Sequence, residues 1–196
     1  MPNTQAPIGP NDEIKVTKIE TYVLKNSWVF VKISTDAGIT GWGEMLKDDA
    51  KACAAGALEV TDYLVGKDPR PVTHHWQAIH RGAFYRGGPI KTAILSGIDM
   101  ALWDIRAKAV VWPLYRLLGG AAKAIPAYAG GVSLGYQRPA ELTDEAASVV
   151  ASGYRALKLR LGDSAHADIA RIVAVRECIG DDIAILTDAN TAYTLD

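Results

Sequence analysis

Two short stretches of this 196-residue chain carry side chains whose type and spacing suit chemistry. The first is Ala156-Leu157-Lys158-Leu159-Arg160-Leu161. Side chains along an extended strand alternate, so Lys158 and Arg160 share one face and Leu157, Leu159 and Leu161 the other. Two cations on an otherwise apolar strand are costly to bury unless an anion or water meets them. Either they face an anionic ligand, or the strand lies at a sheet edge with a solvated basic face. The second stretch is Thr187-Asp188-Ala189-Asn190, directly after the apolar run Ile183 to Leu186. A carboxylate at a strand's C-terminal end can hold a hard cation such as Mg2+. It can equally cap a following helix, a task Asn190 would do as well.

Such groups need a scaffold that presents strand ends together, and the pattern around them supplies one. Beyond Ile125 the punctuation predicts a strand over 127–132, a helix over 138–152 closed by Gly153, and a strand over 154–161. A helix over 165–179 closed by Gly180 and a strand over 183–186 follow. This β-α-β-α-β order implies a parallel sheet, in which active groups gather at strand C-terminal ends. Periodicity alone fits a doubly wound sheet as well as the opening of a (β/α)8 barrel. A complete barrel takes about 250 residues, so the barrel reading expects an incomplete one here.

Ahead of it the pattern differs. Residues 14–24 alternate, Trp28 to Ile33 is a strong β run, and Asp36-Ala37-Gly38 turns into Ile39 to Glu44. Three strands with tight turns make an antiparallel meander. Ala-rich 48–64, then 74–81, 90–108 and 113–118 read as helices, the third with Pro89 at its start and the last stopped by Gly119-Gly120. The expected organisation is a flexible tail over 1–13, an α+β domain over 14–124 and the parallel unit over 125–196.

Composition bounds the function. At 49% hydrophobic, 22% charged and a net charge of −1, the chain is ordinary for a globular protein. It offers neither the basic footprint of a nucleic-acid binder nor a polybasic run for a membrane surface. Residues 1–12 lack an apolar leader region, and no stretch reaches the roughly 18 apolar residues of a membrane span. Cys53 and Cys178 lie far apart without CxxC spacing. Two buried thiols in a reducing cytoplasm are expected.

Three other signals are set aside. Gly131-Val132-Ser133-Leu134-Gly135 matches GxSxG, yet the only later histidine is His166, within a predicted helix, so the hydrolase order is not met. His74, His75 and His80 do not share one helix face and have no third ligand at zinc-like spacing. Gly87-Gly88-Pro89 before a helix reads as turn punctuation rather than an anion site.

Taken together, several blocks resemble the mandelate racemase subgroup of the enolase superfamily. They are Val31-Lys32-Ile33 with Gly38 to Glu44, Tyr85-Arg86-Gly87-Gly88-Pro89, and Gly97 to Ile105 with Lys108. Leu117 to Gly120, Gly153 to Lys158 and Asp188-Ala189-Asn190 complete the set. The order holds from about Ile14 onward, and Trp28, the Tyr85 block and the Trp103 helix give the look of galactonate-dehydratase-like members. The resemblance implies an α+β N-terminal capping domain followed by the first strands of a (β/α)8 TIM-like barrel. It also implies chemistry in which a carboxylate substrate binds Mg2+ and loses the proton α to the carboxylate.

By that resemblance Asp188 is the first of three carboxylate metal ligands, Asn190 a substrate contact, and Lys158 the first lysine of a Lys-x-Lys strand. Arg160 departs from the pattern. Guanidinium groups hold their proton throughout the physiological range and make poor bases, but they pair bidentately with oxyanions. This face is therefore expected to offer charge rather than proton abstraction, which favours dehydration of an acid sugar over racemisation or epimerisation. The base, a His paired with an Asp, is expected outside these residues, as are the other two metal ligands. Specificity is expected from the loop after the first strand, Lys25, Asn26, Ser27 and Trp28, and from residues 45–49. Trp28 alternatively just starts a core strand. Relatives imply a homo-oligomer. The rival class is a catalytically inactive piece with a structural or binding role.

Overall fold

The computed structural model describes residues 8–25, 28–46, 48–130 and 134–194. The chain forms two compact units, Met1–Ala122 and Lys123–Asp196. In the first, β1 (Val16–Val23), β2 (Val29–Thr35) and β3 (Thr40–Met45) make an antiparallel meander in that order. Alternation decides its faces. Val29, Val31, Ile33 and Thr35 point inward from β2, and every second residue is more exposed. The one polar group among them is satisfied locally, since the Thr35 hydroxyl donates to Ile39 O at 2.8 Å and accepts the Ile39 N–H at 3.1 Å.

Helices α1 (Ala50–Glu59), α2 (Thr61–Leu64), α3 (Val72–Arg81), α4 (Pro89–Ala109) and α5 (Leu114–Leu117) follow. The 21-residue α4 buries Ile94, Ile98, Ala101, Leu102 and Ile105 against the sheet. Its approach to β3 explains the glycines there. A Cβ on Gly41 would lie 2.0 Å from Ala101 O, and one on Gly43 would lie 1.9 Å from Gly97 O. Polar groups lock the same seam. Asp104 Oδ2 accepts the Trp42 N–H at 3.0 Å, and Lys108 Nζ donates to Thr40 O at 2.8 Å and to Asp104 at 2.7 Å. Two backbone groups on an edge strand are thereby paired.

The tail expected over residues 1–13 is tied down from Ile8 onward. Ile8 N–H donates to Ala109 O, and the Arg70 guanidinium reaches Gly9 O at 3.0 Å and Asp12 O at 2.8 Å. Its polar composition hid these backbone contacts. The expectation for the cysteines also needs correction. Cys53 is buried, but Cys178 is exposed, and both are free. The histidines fit packing: His75 is buried, with Nε2 against Asp68 O at 2.6 Å and Nδ1 against the Tyr63 hydroxyl at 2.9 Å.

The second unit holds α6 (Pro139–Ala151), β4 (Ala156–Arg160), α7 (Ala165–Ile179) and β5 (Ala184–Asp188). β4 and β5 pair in parallel, with Lys158 opposite Leu186 and Arg160 opposite Asp188. Of the strand expected over 127–132, the described residues 127–130 hold one parallel bridge, Ala129↔Leu157; a second, Gly135↔Arg160, lies beyond it, and residues 131–133 of the GxSxG stretch lie outside those described. β4 is thus flanked on both sides, which excludes the edge-strand reading of Lys158 and Arg160. Leu142 and Ala146 from α6 and Val175 from α7 cover Leu157 and Leu159.

Candidate active site

The predicted residues of the second unit converge at the C-terminal ends of β4 and β5. Leu157 and Leu159 are fully buried, so alternation turns Lys158 and Arg160 to the opposite face. The register sets Asp188 beside Arg160, and Lys158 Nζ reaches Asp188 Oδ2 at 2.8 Å. Asp188 Oδ1 accepts the Asn190 N–H at 2.9 Å. That bond spans two residues, an Asx turn, and Asn190 adopts a left-handed backbone, φ 52, which asparagine tolerates. The local role of Asp188 is therefore to form a turn; no helix follows it among the described residues.

Electrostatics follow from these contacts. The Lys158 hydrogen bond, then the Asn190 N–H, holds the Asp188 carboxyl below its ordinary value. The Asp188 hydrogen bond raises Lys158 above the usual lysine value. Lys158 Nζ also lies 6.0 Å from the Tyr128 ring centroid. Arg160 is exposed, and its guanidinium makes no hydrogen bond or ion pair with the described residues. Small residues make room: a Cβ on Gly130 would meet Lys158 Cβ at 2.8 Å, and one on Gly135 would meet Arg160 Cβ at 2.4 Å.

As a cation site this edge is partial. Asp188 offers hard oxygen donors, but one oxygen is ion-paired and the other accepts an N–H. Among the described residues no group of three or more His, Cys, Asp or Glu is placed to hold a metal. Asp188 fits Mg2+ as one ligand of several, not alone.

Lys25 and Trp28 belong to the first unit, at the end of the β1–β2 hairpin, where Leu24 N–H donates to Trp28 O. Trp28 is 51% exposed and packs its ring against Phe30, so it does not begin the core; that begins at Val29. Asn26, Ser27 and Lys47 lie outside the described residues. A cavity of about 450 Å³ also lies in the first unit, among Val60, Ile79, Ile90 and Ile94. It contains none of these residues.

Sequence reasoning missed a buried polar cluster beside the edge, Asp168 and Arg171 on α7 with Tyr193. An Asp and an Arg three apart on one helix share a face, and that face is inward here.

Residues 12–119 match the mandelate racemase / muconate lactonizing enzyme N-terminal domain. The chain belongs to this family. Residues 141–196 match the enolase C-terminal domain-like family, so the architecture is the α+β cap followed by the start of the barrel. Among curated relatives, D-galactonate dehydratases of Ralstonia nicotianae and Pectobacterium atrosepticum are each 39% identical over 181 residues. That is 87% of this chain and 47% of each relative, so the chain spans about half the length of the relatives it matches. An enolase-superfamily structure from Polaromonas sp. JS666 is 40% identical with a TM-score of 0.80, over 92% of this chain and 53% of that one. The 3,6-anhydro-D-galactonate cycloisomerase of Zobellia galactanivorans is 34% identical with a TM-score of 0.83, over 92% and 52%.

Proposed function

We propose that the protein carrying this chain is a Mg2+-dependent hydro-lyase that removes water from an acid sugar. The observation that carries the reading is the strand-end arrangement: Lys158 and Arg160 on one face, with Asp188 in register beside them. In the proposed reaction the proton α to the substrate carboxylate goes to a base, and the neighbouring hydroxyl leaves with a proton as water. A proton α to a carboxylate is very weakly acidic, so fixed positive charge must meet the developing dianion. Bound Mg2+ would supply part of that charge, with Asp188 as one ligand.

The rest falls to this chain's side chains. The Lys158 ammonium and the Arg160 guanidinium face the oxyanion, and Arg160 orients it bidentately. Asn190 contacts the sugar, and Lys25 and Trp28 contribute specificity. Arg160 takes no proton, so the base is another group. That asymmetry supports dehydration over racemisation, which needs acid–base groups on both faces of the substrate. The substrate class comes from relatives named D-galactonate dehydratase. The same reading takes the working enzyme to be a cytoplasmic homo-oligomer.

The test incubates the protein with a panel of aldonic acids in D2O, with Mg2+ or with EDTA, and follows products by NMR. Loss of water from at least one acid, abolished by EDTA, is expected. Exchange of the α-proton without loss of water would instead establish an epimerase or isomerase, a reading favoured by the cycloisomerase relative. Neither exchange nor dehydration with any acid would overturn the proposal.

A further inference from the structure

Three loops follow the parallel segments of the second unit: 136–138 after the bridge at Gly135, 161–164 after β4 and 189–193 after β5. One buried carboxylate–guanidinium pair reaches all three. Asp168 is 3% exposed and Arg171 7%. Asp168 Oδ2 accepts the Gly162 N–H at 2.7 Å and the Tyr193 hydroxyl at 2.5 Å, and its Oδ1 accepts from Arg171 at 2.9 Å. Arg171 in turn donates to Gln137 O at 2.9 Å and to Asp163 Oδ2 at 2.9 Å. The loops also touch directly. A Cβ on Gly162 would lie 2.7 Å from Ala192 Cβ and 2.9 Å from Ala189 O.

A buried ion pair is weak evidence of a stabilising role, because apolar replacements of similar volume are often as stable. What this pair supplies is geometry. Each loop it holds adjoins a residue of the strand-end edge: Gly135 bridges Arg160, Leu161 follows Arg160, and Ala189 follows Asp188. We propose that Asp168, through Arg171 and Tyr193, is a positioning residue that fixes the Asp188–Asn190 turn against Arg160. The proposal rests on reading that edge as the site, although its test does not. Burial pushes the Asp168 carboxyl up. The Tyr193 hydroxyl, the Gly162 N–H and Arg171 outweigh burial and hold it below its ordinary value. Tyr193 is pushed up to about 12, chiefly by its bond to Asp168, and so remains a donor.

Solvent-exchange NMR on this chain tests it, comparing the parent with Tyr193→Phe and Asp168→Asn. Two amides report on the turn: Asn190 N–H, which donates to Asp188 Oδ1, and Leu161 N–H, which donates to Asp188 O. Tyr193 is half exposed, so Tyr193→Phe removes a hydroxyl without opening the core. It should speed exchange at both amides by about tenfold, while the amides of α6 stay within about twofold. Asp168→Asn should extend the acceleration to the Gly162 amide. Unchanged exchange at Asn190 and Leu161, or equal acceleration throughout the unit, would overturn the positioning role. Neither result bears on whether an acid sugar is the substrate.

Discussion

At the scale of single residues, in the proposed reaction Arg160 separates charge from proton transfer. A lysine in its place would offer both; a guanidinium offers only charge and a fixed fork of donors. In the full enzyme Arg160→Met should lower kcat/KM by about 100-fold or more, the usual loss when one oxyanion donor is removed. Arg160→Lys should retain activity to within about tenfold. Kinetics on the preferred acid sugar decide it, and wild-type turnover in Arg160→Met would remove Arg160 from the mechanism. The Lys158–Asp188 contact makes a prediction about pH. Asp188 titrates lower in the folded chain than unfolded, so its contribution is present above the ordinary carboxylate value and lost as pH falls through the lowered one. Lys158 is raised, so its contribution is lost only as pH climbs through a value above that of ordinary lysine. The pair should therefore persist across the neutral range. The Asp188 carboxyl carbon, followed by NMR, should show its midpoint below the usual carboxylate range. Much of this edge was legible, because alternation fixes a shared face and strand ends gather chemistry. The Lys158–Asp188 pairing was not, since register between strands thirty residues apart is a tertiary property.

At the scale of elements, two of the blocks that carried the resemblance, Gly38 to Glu44 and Gly97 to Ile105 with Lys108, form a joint. Gly41, Gly43 and Gly97 allow α4 to lie directly on β3, and Asp104 with Lys108 closes the β3 edge. None of the three lies near the strand-end edge in sequence. Helices and the meander were legible from period and punctuation, whereas residues 127–130, expected to open a strand, hold a single bridge. Small residues there give β propensity little to act on. One helix end carries a measurable flaw. After Val110, the Val111 N–H bonds Lys108 O and the Trp112 N–H bonds Ala107 O, a Schellman cap that places Val111 at φ 57. Glycine belongs there, and a β-branched residue is strained by roughly 1–3 kcal/mol. Val111 is 40% exposed, so little packing is lost on its removal. Val111→Gly should stabilise the first unit by about 1 kcal/mol net of glycine's entropy in the unfolded chain. Urea unfolding would show a higher midpoint at an unchanged slope; a lower midpoint would mean that Val111 packing outweighs its strain.

At the scale of the whole molecule, the chain covers 47% of the two D-galactonate dehydratases compared above, and under the proposed function the remaining metal ligands lie outside its 196 residues. Mg2+ holds its water tightly and accepts protein sites only where several oxygens compete for it. The strand-end edge brings one carboxylate, and Lys158 already occupies one of its oxygens at 2.8 Å. Magnesium gains one carboxylate there at most, and competes with that ammonium for one of its two oxygens. The 196 residues by themselves should therefore bind Mg2+ only weakly, on the order of millimolar or above. Lys158→Met should not rescue tight binding, because removing the competitor adds no ligand. Calorimetry on the isolated chain checks both points. Submicromolar affinity in the parent would mean that a complete ligand set forms within these residues, and the assignment of further carboxylates elsewhere would fail. Weak binding that tightens at least about tenfold in Lys158→Met would instead show that the Lys158–Asp188 pair, rather than the number of ligands, limits the site.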